Sequence, residues 1–467
     1  MKIGGITMAA LAMTASCAWS QQTPVSVTRE WTSADGRKIV AGYEGVQGEN
    51  VMLKLQNGKV APIPLLKLSE PDNAFVKSHP LDYREPWTAW PVDPQITPST
   101  IDVTETAVAG GGYEYTTPHF RFKTNVNLGK ALMKDLAVVF ELTYRLHSKS
   151  PFGILAKPAN DLFEAKLFAT SDEYKAAGGP LLTAGVYLPK EKVFLAPLDL
   201  MGVKSGSAGL RRVSRDDYDT STIVHELTHM LTHDMLQNLP LWVNEGYAEY
   251  VSSIPIEGNS FRVSAEKIEE GVLDRFARDY ERGTSGNVKL STSARRDYLK
   301  GDKLPNLVRV EKVLKMTDAE WAGHRSGFSS PGELADLPRL YRTAHLIIYY
   351  FIQIEGEKGV AKIRKFLEEN RVQQARYDAY VAAYSNYQKQ LLAFMNLPGV
   401  TKLPDGRIQY PSNLTPPVAP EAPFTDPNLV KMGGLGALLD GETAEVVGAR
   451  IENTLREKLA INLRFAN

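Results

Sequence analysis

Two histidines four residues apart, with a glutamate after the first, occur in His225-Glu226-Leu227-Thr228-His229. On a helix this spacing puts both imidazoles on one face, where they can converge on a single metal ion. Glu226 projects toward the open coordination position, where a carboxylate can take a proton from water activated by the metal. Fifteen residues after His229 begins Asn244-Glu245-Gly246-Tyr247-Ala248-Glu249. On a second helix packed antiparallel to the first, Glu245 would face the two histidines and complete a His2Glu set, leaving a fourth position for water. Glu249 follows one turn later on the same face, placed to hydrogen-bond the outer nitrogen of a ligand histidine and fix its tautomer. The combination reads as a zinc hydrolase site.

The elements that must hold these groups are legible around them. Asp219, Thr220 or Ser221 can cap a first helix, and Ile223, Val224, Leu227, Met230 and Leu231 give it an apolar surface. Pro240 limits that helix, and Leu241-Trp242-Val243 opens a second amphipathic one after a short loop.

HExxH followed by N-E-G-x-A-E resembles the gluzincin metallopeptidases, the clan that includes thermolysin and the aminopeptidase N type. The resemblance implies one zinc ion per chain on His225, His229 and Glu245, with Glu226 as the catalytic acid/base. The metzincin pattern fails, because its glycine and third histidine would fall at Thr232 and Met235. No G-x-M-E-N element of the aminopeptidase N type is present, so an endopeptidase is expected. In gluzincins a downstream Tyr or His donates to the oxyanion that develops on the scissile carbonyl. Tyr341 and His345, four apart in the apolar run Leu340–Ile354, fit that role, with Tyr247 a third possibility. Gluzincin domains also place an edge strand before the HExxH helix, which pairs with an extended substrate. Val193, Phe194, Leu195 and Ala196 are the expected edge.

Composition narrows the setting. The chain has 467 residues, room for two or three domains, and its 54 basic and 54 acidic side chains cancel. That balance argues against nucleic acid or an anionic membrane surface as the main partner. The first twenty residues read as a secretory signal, with Lys2, an apolar stretch Ile6 to Ala15, and Ala18-Trp19-Ser20 before cleavage after Ser20. A secreted or periplasmic protein follows. Cys17, the single cysteine, offers a lipoprotein anchor as the alternative, although Thr14 stands where a lipobox prefers Leu. Cleavage after Ser20 leaves no cysteine, hence no disulfide and no thiol chemistry. No later run is long and apolar enough to span a membrane.

In chain order, residues 24–80 show short alternating strands (Val27 to Thr32, Lys38 to Val46, Val51 to Leu55, Val60 to Leu65) separated by Asp35-Gly36, Gln47-Gly48 and Asn57-Gly58. A small antiparallel barrel is expected. R-E-W-T-S-A-D-G-R-K at Arg29 to Lys38 and K-L-S-E-P-D at Lys67 to Asp72 resemble the first Sla-type homology domain. That resemblance implies a Src-homology-3-like barrel and a protein partner for it, or else a packing module. Residues 81–117, rich in Pro, Thr and Gly, read as a linker part of which packs down through Trp87 and Trp90.

By the same resemblance, residues 118–400 are expected to form the gluzincin-like domain, an α+β unit with a mixed-sheet lobe and a mainly helical lobe. Strands are expected at Phe120–Lys123, Glu164–Thr170, Gly185–Leu188 and Lys192–Ala196. A long helix carries Leu128, Leu132, Leu136, Val139, Phe140 and Leu146, and a short one is capped by Ser171. Residues 201–218 form a loop or flap before the HExxH helix. Later helices include Ala265 to Tyr280, Leu307 to Met316, a separate Ala361 to Glu369 and Ala375 to Phe394. Residues 401–467 are a Pro-rich segment and a tail with a helix at Ala444 to Leu459.

The function expected is a secreted zinc metallopeptidase acting on peptide or protein. The competing class is a non-enzymatic binding or scaffold protein that uses the barrel and keeps a structural or vestigial zinc site. Structural zinc is usually closed by four protein ligands. Cysteine is lacking once the expected signal is removed, and His233 is two turns from His225, too far to join both neighbours at one ion.

Overall fold

The computed structural model describes residues 27–56, 60–81, 83, 88–90, 92–109, 111–180, 183, 185–206, 209–213, 220–283, 297, 299–301, 307–326, 336–403, 407–424 and 427–466. The expected signal segment with Cys17, Trp87, and the turn at Asn57-Gly58 lie outside the described residues. The chain divides into two compact units, Met1–Pro86 and Trp87–Asn467.

In the first unit, β1 (Val27–Thr32), β2 (Lys38–Gln47), β3 (Asn50–Lys54) and β4 (Val60–Pro64) form an antiparallel sheet in sequence order. Alternation puts Trp31, Ala41, Tyr43, Val51 and Leu53 on one buried face. Among the described residues this sheet stays open and does not close into the expected barrel. The reason lies in α1 (Glu70–Ser78), which covers the apolar face itself. Its Phe75 packs edge-on against Trp31 and Tyr43, with ring centroids 5.6 and 5.7 Å away. The core is sealed without β4 having to reach β1.

The second unit is α+β. Its six-stranded sheet comprises β5 (Thr104–Ala107), β6 (Tyr113–Thr116), β7 (Phe120–Thr124), β8 (Phe163–Phe168), β9 (Val186–Leu188) and β10 (Val193–Pro197). Their spatial order is β5-β6-β7-β8-β10-β9, with β7, β8 and β10 parallel and the other pairings antiparallel. Two of these strands, of four residues each, fall within residues 81–117, so part of the expected linker is sheet. In the same stretch Trp90 is buried and donates from Nε1 to the Leu146 carbonyl at 3.2 Å.

Phe120 and Phe122 of β7 point to α2 (Gly129–Ser148), where Phe140 meets both rings edge-on. Charged Lys123 and Glu164 pair on the opposite face at 2.9 Å. There α3 (Ser171–Ala176) buries Tyr174 against Val193 and Leu195. Its cap is Thr170, whose hydroxyl accepts from the Glu173 amide, one residue before the expected Ser171. Within residues 201–218, Val203–Gly206 and Gly209–Arg212 pair as a short hairpin.

The remaining helices are α4 (Ser221–Leu236), α5 (Leu241–Ser253), α6 (Ala265–Gly283), α7 (Val310–Lys315), α8 (Asp318–Ser326), α9 (Asp336–Tyr349), α10 (Glu357–Met395), α11 (Leu435–Leu439) and α12 (Ala444–Leu459). The two helices expected between residues 361 and 394 are one continuous α10, since no Pro or Gly falls between them to break it. Before α7, Leu307–Val308 is a short strand paired in parallel with Phe465–Ala466. Glu452 of α12 is buried and accepts from the Arg309 Nε and the Val310 amide, each at 3.0 Å. The C-terminal helix therefore belongs to the second unit's core and is not a separate tail. No helix among the described residues is long and apolar enough to cross a membrane.

Candidate metal centre

α4 carries the two histidines on one face while Ile223, Val224, Leu227, Met230 and Leu231 are buried in the core. No side-chain hydrogen bond caps its start at Thr220. Ser221, the first helical residue, instead accepts from Arg275 of α6 at 3.1 Å. Pro240 separates α4 from α5, whose first amide, Leu241 N–H, donates to Asp318 at 2.8 Å. α5 lies between α4 and α9. Gly246 makes the second contact possible, because a Cβ there would stand 2.7 Å from the Ala344 carbonyl oxygen.

This packing brings three donor atoms together. His225 Nε2 lies 3.1 Å from His229 Nε2, and Glu245 Oε2 lies 3.3 and 3.4 Å from the two. Tetrahedral coordination with ligand bonds of about 2.0–2.1 Å separates neighbouring donors by roughly 3.3 Å. The triangle therefore has the edge that a small divalent ion needs, and these residues could hold one.

Both outer imidazole nitrogens are occupied as well. His225 Nδ1 faces Glu249 Oε1 at 3.2 Å, and His229 Nδ1 faces Asn244 Oδ1 at 3.0 Å. Nδ1–H donation to each oxygen leaves both Nε2 lone pairs directed at the common point. Glu245 and Glu249 thus sit where the sequence places them. The contact of Asn244 with His229 adds a residue to the site that the spacing argument does not include, although an amide directly before the candidate ligand Glu245 is a readable signal.

Electrostatics reflect the concentration of carboxylates. Burial works against a charged His225, but hydrogen bonds to Glu245 and Glu249 and the charges of Glu249 and Glu226 outweigh it and raise its pKa above the usual histidine value, so an ion bound at Nε2 would displace a proton from it. Burial would raise Glu245 and Glu249, yet both are held well below the usual carboxylate range. For Glu245 the charge of His229 and the imidazole hydrogen bonds do this, and for Glu249 the His225 hydrogen bond and the Arg275 charge do.

Glu226 lines a cleft of about 290 Å³ together with His225, His229, Glu245 and Tyr341. Its Oε2 accepts from the Tyr187 amide at 2.9 Å. Tyr187 belongs to β9, which is the outermost strand on this side of the sheet. The expected edge is corrected accordingly. Val193, Phe194, Leu195 and Ala196 are buried in β10, bonded to β8 on one side and β9 on the other. The short β9 takes the edge because it adds outside β10 and turns its Tyr187 amide toward α4.

The three proposed oxyanion donors separate clearly. Tyr341 lines the cleft, its ring stacked on His225 at 6.4 Å and packed by Trp321 at 5.5 Å. His345, one turn further along α9, is fully buried and does not reach the cleft. Its Nε2 contacts Ser253 Oγ at 3.2 Å, and burial pushes its pKa down to about 4. Tyr247 is buried too, its hydroxyl 3.5 Å from Ser150. Both point into the packing of α5, which excludes them from a cleft role.

A scan against protein-family models gives no match, and neither does a search of curated proteins.

Proposed function

We propose that this chain is a secreted or periplasmic zinc-dependent metallopeptidase of the gluzincin type, an endopeptidase acting on peptide or protein substrates. The observation that carries the reading is the His225–His229–Glu245 triangle, with both outer nitrogens tied and the Glu226 carboxylate in the same cleft. His225, His229 and Glu245 would hold the ion, which when bound supplies a Lewis acid that activates water and polarises a carbonyl. Glu226 accepts the proton that the attacking water gives up and returns it to the leaving amine. The Tyr187 amide orients that carboxylate. β9 is the edge strand that an extended peptide of any sequence would approach, with the Tyr187 amide already given to Glu226. Tyr341, beside His225, is the donor for charge developing on the carbonyl oxygen.

In this reading the sheet lobe and the helical lobe are those of a gluzincin domain. The N-terminal unit, an open four-stranded sheet covered by α1, is read as a packing or positioning module related to the first Sla-type homology domain, with a protein partner as the alternative.

The test is metal content and cleavage of unfolded casein for wild type and Glu226→Gln in parallel. Metal in both with cleavage by wild type alone supports the peptidase. Metal in both with no cleavage by either favours a binding protein, and metal in neither removes the site.

A further inference from the structure

Glu249 spends one carboxylate oxygen on His225 and the other on a residue that is neither a ligand nor part of either motif. Its Oε2 accepts from Arg275 Nε at 2.9 Å and from Arg275 Nη2 at 2.6 Å. Its Oε1 meets His225 Nδ1 at 3.2 Å. Two donors from one planar guanidinium converge on Oε2 while Oε1 faces His225, which holds the carboxylate in place more firmly than a single ammonium donor would. The third guanidinium nitrogen, Nη1, donates at 3.1 Å to Ser221, the first residue of α4. One side chain on α6 thus ties the start of the histidine helix to the carboxylate on α5 that orients a ligand.

The sequence of α6 allows that reach. Gly271 lies one turn before Arg275, and a Cβ at 271 would overlap the Ser253 carbonyl oxygen at the end of α5. A bare backbone at 271 lets α6 approach α5 closely enough for the fork to meet Glu249.

We propose that Arg275 is a positioning residue for the metal centre: it holds Glu249, and through it the His225 imidazole, so that metal affinity is set partly by a helix that supplies no ligand. The proposal rests on the reading of His225, His229 and Glu245 as a metal site. Without Arg275, the His225 contact is what holds the Glu249 carboxylate among the described residues, and Nε2 of His225 loses its aim when that carboxylate rotates away.

The test uses zinc alone as probe, competed against a chromophoric chelator with the full chain. Removing an outer-shell partner typically costs 10–100-fold in metal affinity. Arg275→Ala is expected to weaken zinc by about 10–100-fold, and Arg275→Lys, which keeps the charge but not the fork, by less. Adding Arg275→Ala to Glu249→Ala is expected to cost nothing further, because the two act in series. Circular dichroism of the metal-free proteins checks folding. If Arg275→Ala does not fold, Arg275→Lys and Glu249→Gln form the same cycle. Wild-type affinity in the Arg275 variants, or an undiminished loss in the Glu249→Ala background, overturns the proposal. Absence of zinc binding by wild type sinks the metal reading itself and is read separately from either result.

Discussion

His229 Nδ1 lies 3.0 Å from Oδ1 of Asn244, the residue immediately before Glu245. The motif therefore supplies, in consecutive residues, a candidate ligand and the hydrogen-bond partner of another candidate ligand. An amide oxygen fixes the Nδ1–H tautomer and leaves Nε2 free for the ion. Asn244→Ala is expected to weaken zinc binding by about tenfold or more, while Asn244→Asp, which keeps the acceptor, retains it. Chelator competition measures both. Equal affinities for Ala and wild type would show that Asn244 has no such role.

Gly246 is under a steric constraint unconnected with the metal. An added Cβ meets the Ala344 carbonyl oxygen at 2.7 Å and the Ala344 Cβ at 3.1 Å, both parts of α9 that cannot swing aside. Overpacking of this kind costs about 1–3 kcal/mol. Gly246→Ala should lower the melting temperature of the metal-free protein and also weaken zinc, since Glu245 is the adjacent residue. An unchanged melting temperature would mean that α5 and α9 separate at little cost.

Tyr341 and His345 should behave oppositely. Loss of one oxyanion donor typically costs about 100-fold or more in turnover. Tyr341→Phe is expected to lower kcat by about that factor with zinc retained. His345→Gln is expected to alter stability and leave kcat within a few-fold, because its ring does not reach the cleft. Stopped-time casein assays at saturating zinc compare the two. A large kcat loss in His345→Gln with normal stability would contradict this assignment.

Buried neutral histidines set an acid limit. Burial lowers His147 from 6.5 to about 3 and His345 from 6.5 to about 4. Above about pH 6.5 both are neutral folded or unfolded, and the stability they allow is fully present. Below that pH the unfolded chain takes up protons that the folded chain refuses, so stability falls as pH drops toward 4 and then 3. His147→Gln should flatten the decline by about one proton, or about 1.4 kcal/mol per pH unit. Urea unfolding between pH 4.5 and 7 gives the slope. An unchanged slope in the variant would show that His147 titrates normally in the folded protein.

Local pattern made much of this arrangement readable. The strands of the first unit, α2, the pair of helices around Pro240, and α12 all follow from alternation, helical period and proline placement. The donor set was equally legible, because four-residue spacing on a helix is a geometric statement. What was not legible depended on contacts distant in sequence. The open sheet is capped by α1, which the strand pattern alone does not announce. The edge went to Val186–Leu188 because strand order is settled by packing, and β10, apolar and buried at every position, lies between β8 and β9. His345 shares a face with Tyr341 by period, yet one helical turn was enough to carry it from cleft wall to core. Arg275 and Asp318 act on the site from other helices, and nothing in their local sequence marks them.

The central claim is that one ion held by His225, His229 and Glu245 works with Glu226 to cut peptide bonds. Zinc titration into chelator-stripped protein, following bound metal and casein cleavage on the same samples, tests it most directly. Cleavage should rise in proportion to bound zinc and stop at about one ion per chain, while Glu226→Gln takes up the same ion and stays silent. Cleavage that survives removal of the metal, or wild type saturated with zinc and unable to cut, would contradict the account.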